Sequence, residues 1–135
     1  MIEEDILYLK KTNRATVIKK LNQDEMIIDK RLEDLLDKYL ETDLTTLEGR
    51  VKATSKVYHI FKQIPIYLKD TIVFIQTNNK KQIDNIYINS YNIIDMVKDK
   101  KQTIIIFVDN SSIIVDKPYH LMKKYYDLSL KIKKF

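Results

Sequence analysis

The hydrophobic period changes along this chain, and that change limits the folds open to it. From Lys30 the apolar side chains Leu32, Leu35, Leu36, Tyr39 and Leu40 fall at the spacing of one helical stripe. Glu33, Asp34, Asp37 and Lys38 take the opposite face, so the pattern predicts an amphipathic helix over about 30–41. A capping-box pattern, Thr45-Thr46-Leu47-Glu48, opens a second predicted helix over about 45–56, with Leu47, Val51 and Thr54 as its apolar line. Beyond it the chain breaks into short apolar runs rich in β-branched residues: Val57–Phe61, Ile64–Leu68, Ile72–Ile75, Ile86–Ile88 through Ile93–Ile94, Thr103–Val108 and Ile113–Val115. Asp109-Asn110-Ser111-Ser112 between the last two reads as a hairpin turn, and Lys98-Asp99-Lys100-Lys101 as another turn. Pro118 suits the start of a closing helix over about 118–133. Ile6–Leu9, Thr16–Ile18 and Glu25–Asp29 read as short lead-in strands or apolar runs before the first helix. The class that fits is α+β: an antiparallel sheet with helices before and after it.

A chain of 135 residues is expected to form a single domain, residues 1–135, and its apolar fraction of 44% suffices for one core. Gly49 is the one glycine, so phosphate-cradling and dinucleotide-binding loops are excluded. Without cysteine there are no disulfides and no thiolate metal sites. His59 and His120 are far apart and are read as a strand-face and a helix-start histidine rather than as ligands. The carboxylates of residues 30–48 lie on a solvated helix face, where they serve solubility rather than acid–base chemistry. Neither enzymatic activity nor a cofactor is expected. No apolar run approaches the length of a membrane span, and Met1-Ile2-Glu3-Glu4-Asp5 is acidic where a secretory signal is basic. A cytoplasmic protein without membrane contact is the expectation.

Charge is segregated. Residues 1–29 carry a net −1, residues 30–48 a net −3 and residues 49–135 a net +9. A compositional preference for lysine would raise it everywhere; unequal placement points instead to a polyanionic partner for the C-terminal portion.

Thr45-Thr46-Leu47-Glu48-Gly49-Arg50-Val51-Lys52-Ala53-Thr54 resembles the stretch of the ComK family of competence transcription factors in which small hydroxyl residues precede Gly-Arg. The features that follow keep the family's order. Ile64-Pro65-Ile66 is similar to its Lys-Pro followed by aliphatics, and Ile72–Thr77 to its Phe-Pro-Thr segment. Ile86-Tyr87-Ile88 resembles its Trp-Ile segment, Ile104–Val115 its hairpin, and Pro118-Tyr119 its Ser-Tyr. Gln76 stands in place of the family proline, Tyr87 in place of the tryptophan, and the hairpin lacks the family glycine. The resemblance is to a shortened member without the C-terminal tail that serves adaptor-dependent proteolysis and self-association.

The resemblance implies recognition of AT-rich double-stranded DNA, largely through the minor groove, by pairs of subunits. A·T pairs narrow that groove and deepen its negative potential, which favours an inserted Arg, and its base edges present mainly acceptors. The expected contact sets are Arg50 with Lys52, and Asn78 with Asn79, Lys80 and Lys81; Lys56, Lys98, Lys100 and Lys101 are expected to position phosphates. Leu32, Leu35, Leu36 and Tyr39 could pack on the sheet or form a two-fold contact in a homodimer. The competing expectation is a phage or mobile-element protein that binds and inhibits a host regulatory protein and needs no DNA.

Overall fold

The computed structural model describes residues 2–78 and 85–133. Two antiparallel sheets and three helices make up the fold. The strands are β1 (Ile6–Lys11), β2 (Thr16–Lys20), β3 (Met26–Ile28), β4 (Ile66–Lys69), β5 (Ile72–Gln76), β6 (Ile86–Asn89), β7 (Ile93–Asp99), β8 (Gln102–Phe107) and β9 (Ser112–Val115). The helices are α1 (Leu32–Leu40), α2 (Leu47–Tyr58) and α3 (Tyr119–Leu130). The larger sheet has the order β3-β2-β1-β6-β5-β4, and β7-β8-β9 form a second sheet.

The α+β class and the helices before and after the β region agree with the sequence pattern, but the single expected sheet is two. Ile86 to Ile94 is not one strand: a 3-10 turn at Ser90–Asn92 separates β6 from β7 and carries the chain from one sheet to the other. Asn89 makes that corner possible. Its side-chain carbonyl accepts from the Val73 and Tyr91 N–H groups at 3.2 and 3.3 Å. Its amide donates to the carbonyls of Ile6 and Thr71 at 3.2 and 3.3 Å, so a fully buried side chain has its polar atoms satisfied.

The larger sheet is covered on both faces. Against one face α1 lays Leu32, Leu35, Leu36 and Leu40, which with Leu47 of α2 pack on Ile6, Leu9, Ile18, Phe74 and Tyr87. Against the other, Ile105, Phe107, Val115 and Met122 from the second sheet and α3 meet Leu7, Tyr8, Ile75 and Ile88. A third cluster joins Ile60 and Ile132 to Tyr67 and Val73. Every residue of β5 is therefore buried, and its run Ile72–Gln76 shows no alternation of apolar and polar positions.

The α1 stripe faces inward. Leu32, Leu36 and Leu40 are at most 1% exposed, and Tyr39 packs partly buried at the edge of the same cluster. The alternative of a two-fold contact through Leu32, Leu35 and Leu36 is thereby corrected: those side chains already fill the space between helix and sheet. Val57–Phe61 is likewise not a strand. Val57 and Tyr58 finish α2, His59 ends it in the left-handed region at φ 56°, and Ile60 turns into the core while Phe61 is left outside. The α2 cap also differs from the expected Thr45–Glu48 box. Thr46 is the N-cap, its hydroxyl accepting from the Gly49 N–H at 3.1 Å, and Asp37 of α1 takes the Leu47 N–H at 2.7 Å. α3 ends at Leu130 rather than near 133, and Ile132 beyond it is buried. Among the described residues, no helix is long and apolar enough to cross a membrane.

Candidate nucleic-acid interface

Strand direction sorts charge between the two ends of the larger sheet. At the end where β1 finishes, β5 finishes and β6 begins lie the Thr12–Ala15 turn, Asn78 and Asn85. β3 finishes at this end too, which places Lys30 and Arg31 beside it; the Thr16 hydroxyl fixes the Lys30 carbonyl at 2.8 Å. α2 also runs toward it, since the chain after Tyr58 enters β4 there. Arg14, Lys30, Lys56 and Lys62 are exposed, and none of them has a carboxylate within ion-pair distance among the described residues. Among the described residues, acids at this end include Asp29 and Glu33. Glu33 is bonded to the Lys11 ammonium and also feels the charge of Arg31. Burial acts to raise the Glu33 pKa, but those cations and a backbone hydrogen bond together hold it below its ordinary value.

The opposite end carries Glu3, Glu4, Asp5, Lys20, Lys69 and Asp70, and its lysines are engaged: Lys69 with Glu4 at 2.8 Å, Lys20 with Glu3 and Asp5 at 3.8 and 4.0 Å. Among the described residues, one end of the sheet thus offers cations without ion-pair partners, and the other offers anions.

A polar clasp holds the neck of the loop that follows β5. The Gln76 amide donates to the Ile64 carbonyl at 2.8 Å, and the Asn85 amide donates to Gln76 Oε1 at 3.3 Å. Asn85 Oδ1 accepts from the Asn78 N–H at 2.9 Å, and Thr77 Oγ1 accepts from the Ile86 N–H at 3.0 Å. Gln76, Thr77 and Asn85 are buried, so this neck is part of the rigid body of the sheet.

The expected contact residues divide into three groups. Arg50 is committed within the fold: Nη2 lies 2.7 Å from Asp43 Oδ2, and the guanidinium sits 5.5 Å from the centre of the Tyr67 ring. Lys52 pairs with Glu48 at 3.2 Å one helical turn away, both ends largely in solvent, whereas Lys56 stands exposed in the last turn of α2. Asn78 lies at the clasp; Asn79, Lys80 and Lys81 lie outside the described residues. Lys98, Lys100 and Lys101 belong to the β7–β8 hairpin, with Lys100 in the left-handed region at φ 57°. The other end of that sheet docks on the β2–β3 turn through Asp109, which accepts from the Asn22 N–H at 3.0 Å. Asn78, Lys56 and the cations of the sheet end thus share one region, and the hairpin lysines form a separate one.

Asn13, Arg14, Lys30, Arg31 and Lys62 were not singled out by the sequence pattern. Residues 1–48 are net acidic in sequence, but apart from Asp29 their acids go to the other end, to α1 and to the α1–α2 connection. The one local signal was an Asn-Arg turn directly after an apolar run. His59 is an exposed helix cap rather than a strand residue, and Tyr91 lies in the 3-10 turn, not on a strand. Tyr87 is fully buried, which removes it as a stacking platform.

A family model described as "ComK protein" matches residues 5–133. No curated protein and no solved structure matches the chain.

Proposed function

The chain belongs to the ComK family, and from that premise we propose that it is a non-enzymatic regulator of transcription that binds AT-rich duplex DNA through the minor groove. Family membership points to a competence transcription factor. The observation that carries the finer reading is the cationic end of the larger sheet, where Arg14, Lys30, Lys56 and Lys62 share the end that carries Asn78 and have no carboxylate partners among the described residues. Phosphates flanking a groove match such an end, and Arg14 on its turn is the residue best presented to enter the groove. Lys98, Lys100 and Lys101 would add phosphate contacts of their own. Arg50 takes a supporting part, because entering a groove would cost it both Asp43 and the Tyr67 ring; it braces α2 against β4.

Fluorescence anisotropy with AT-tract and GC-rich duplexes of equal length, over a range of salt, tests this reading. The AT duplex is expected to bind more tightly, with affinity falling as salt rises. Each of Arg14→Ala, Lys56→Ala and Lys62→Ala should lower the slope of log K against log salt by about one. Arg50→Ala is expected to reduce stability more than it reduces the AT preference. Equal, feeble binding to both duplexes would remove DNA as the partner.

A second reading, binding and inhibition of a host protein, is favoured by one feature. Val97, Ile104 and Ile114 pair across β7, β8 and β9 on the solvent side of the smaller sheet, where Val97 and Ile114 are 39% and 59% exposed. An apolar row crossing a whole sheet suits a protein contact. If Ile114→Lys abolishes co-purification of a single host protein, and the unmodified chain binds neither duplex, this reading replaces the first.

A further inference from the structure

The segment between α2 and β4 and the facing side of α3 enclose a cleft of which only Lys62 is used by the contacts above. Its floor is apolar, from Leu121, Leu128 and Ile60; its rim carries Tyr58, His59, Phe61, Lys62, Lys124 and Tyr125. Three features set it apart from an ordinary surface hollow. No carboxylate lines it, and none lies within ion-pair distance of Lys62 or Lys124 among the described residues, so its cations are available to an anion. Phe61 is 75% exposed, a position at which an aromatic ring gains nothing from folding. The backbone that presents it is held at both ends in the left-handed region, His59 at φ 56° and Gln63 at φ 46°, where a residue with a side chain is strained.

That segment is also anchored. Ile60 is 8% exposed in the cluster with Tyr67, Val73 and Ile132. The Tyr58 hydroxyl donates to the Lys133 carbonyl at 3.1 Å and accepts from the Lys133 N–H at 3.2 Å, tying the end of α2 to the chain beyond α3. Phe61 is thus displayed by a fixed frame. Rings of three aromatic residues with lysine and histidine between them, in a concave site with no acid among its described lining residues, are the ingredients by which proteins hold unpaired bases: the π faces stack and the cations take the phosphates.

We propose that this cleft binds single-stranded nucleic acid, with Phe61 and Tyr125 as stacking surfaces and Lys62 and Lys124 as phosphate contacts. The site is distinct in chemistry from the duplex surface proposed above, although Lys62 is common to both. It stands or falls independently of the duplex reading.

The test is anisotropy of the full chain with fluorescein-labelled dT and dA dodecamers, with an AT duplex of the same length and with poly-glutamate as competitor. Phe61→Ala and Lys124→Ala are the variants; both side chains are exposed, and circular dichroism melts check that the fold is kept. The single strands are expected to bind the unmodified chain, with Phe61→Ala weakening them about tenfold or more while duplex affinity changes less than twofold. Binding of duplex but not of single strands, or equal binding by Phe61→Ala, overturns the proposal and leaves the duplex reading intact. Single-strand binding without duplex binding upholds it and overturns that reading. Displacement by poly-glutamate as effective as by unlabelled dT would show a surface for acidic peptide and overturn the assignment to nucleic acid.

Discussion

Two buried polar groups show how much a single side chain depends on its partners. The side chain of Asp109 is 3% exposed and accepts from the Asn22 N–H, the Ser111 N–H and the Ser111 hydroxyl, with the Lys19 ammonium at 3.8 Å. Burial is the largest influence and acts to raise its pKa, but the hydrogen bonds and Lys19 together outweigh it and hold the carboxyl at about 2. The sign follows: a depressed folded-state pKa contributes stability above the ordinary carboxylate range, and that contribution is lost as pH falls from near 4 through about 2. Urea midpoints measured across that window should fall with pH, and Asp109→Asn should flatten the dependence. Tyr87 is the opposite case. Its hydroxyl is buried without a hydrogen-bond partner among the described residues, and burial, with the nearby charge of Glu33, keeps the phenol protonated far beyond its usual range. Tyr87→Phe removes an unsatisfied group at no cost in shape, so its thermal midpoint is expected to match or exceed that of the unmodified chain. A drop of several degrees would show that the hydroxyl is satisfied.

At the scale of elements, α1 is held by burial more than by its ends. Its N-cap, Arg31, supplies no side-chain hydrogen bond, and the helix has nine residues, too few to persist alone in water. Leu32, Leu36 and Leu40 against the sheet supply what the termini lack. Leu36→Ala is expected to cost about 2–5 kcal/mol in urea denaturation, because the cavity it leaves lies between two rigid layers. The stripe spacing made this helix legible residue by residue. The segment after α2 shows the limit of such reading. Val57-Tyr58-His59-Ile60-Phe61 has the composition of a strand, and nothing local says that His59 will take φ 56° and end a helix instead. In a chain with one glycine, left-handed positions fall on Asn22, Leu44, His59, Gln63, Lys100 and Asn110, so the usual marker of a helix end or tight turn is missing.

For the molecule as a whole, the division of charge between the ends of the larger sheet is what gives the proposed regulator an orientation. A pair of subunits on one duplex would each present that end to the groove. Since the α1 stripe is spent inside the fold, pairing has to use another surface, and the apolar row of the smaller sheet is the clearest one. Sedimentation with an AT duplex carrying two sites is expected to show two chains per duplex, and Ile114→Lys should reduce the complex to one. A single chain per duplex at saturating protein would rule out paired recognition.

The sequence by itself determined the α+β class, the three helices to within a few residues, the β8–β9 hairpin and the apolar stripe of α1, though not which way that stripe faces, and it carried the family resemblance that the match over residues 5–133 bears out. Each of these is written in periods of two or 3.6, in turn chemistry or in collinear motifs, all local properties of the chain. Tertiary structure alone decided that the strands split into two sheets at Asn89, that Arg50 is occupied by Asp43, and that Arg14 and Lys30 from a net acidic stretch join Lys56 and Lys62 at one end of the sheet. The physical reason is the same in each case. Strand order, partner choice and the pairing of charges are set by residues distant in sequence, and the net charge of a stretch says nothing about which side chains will meet.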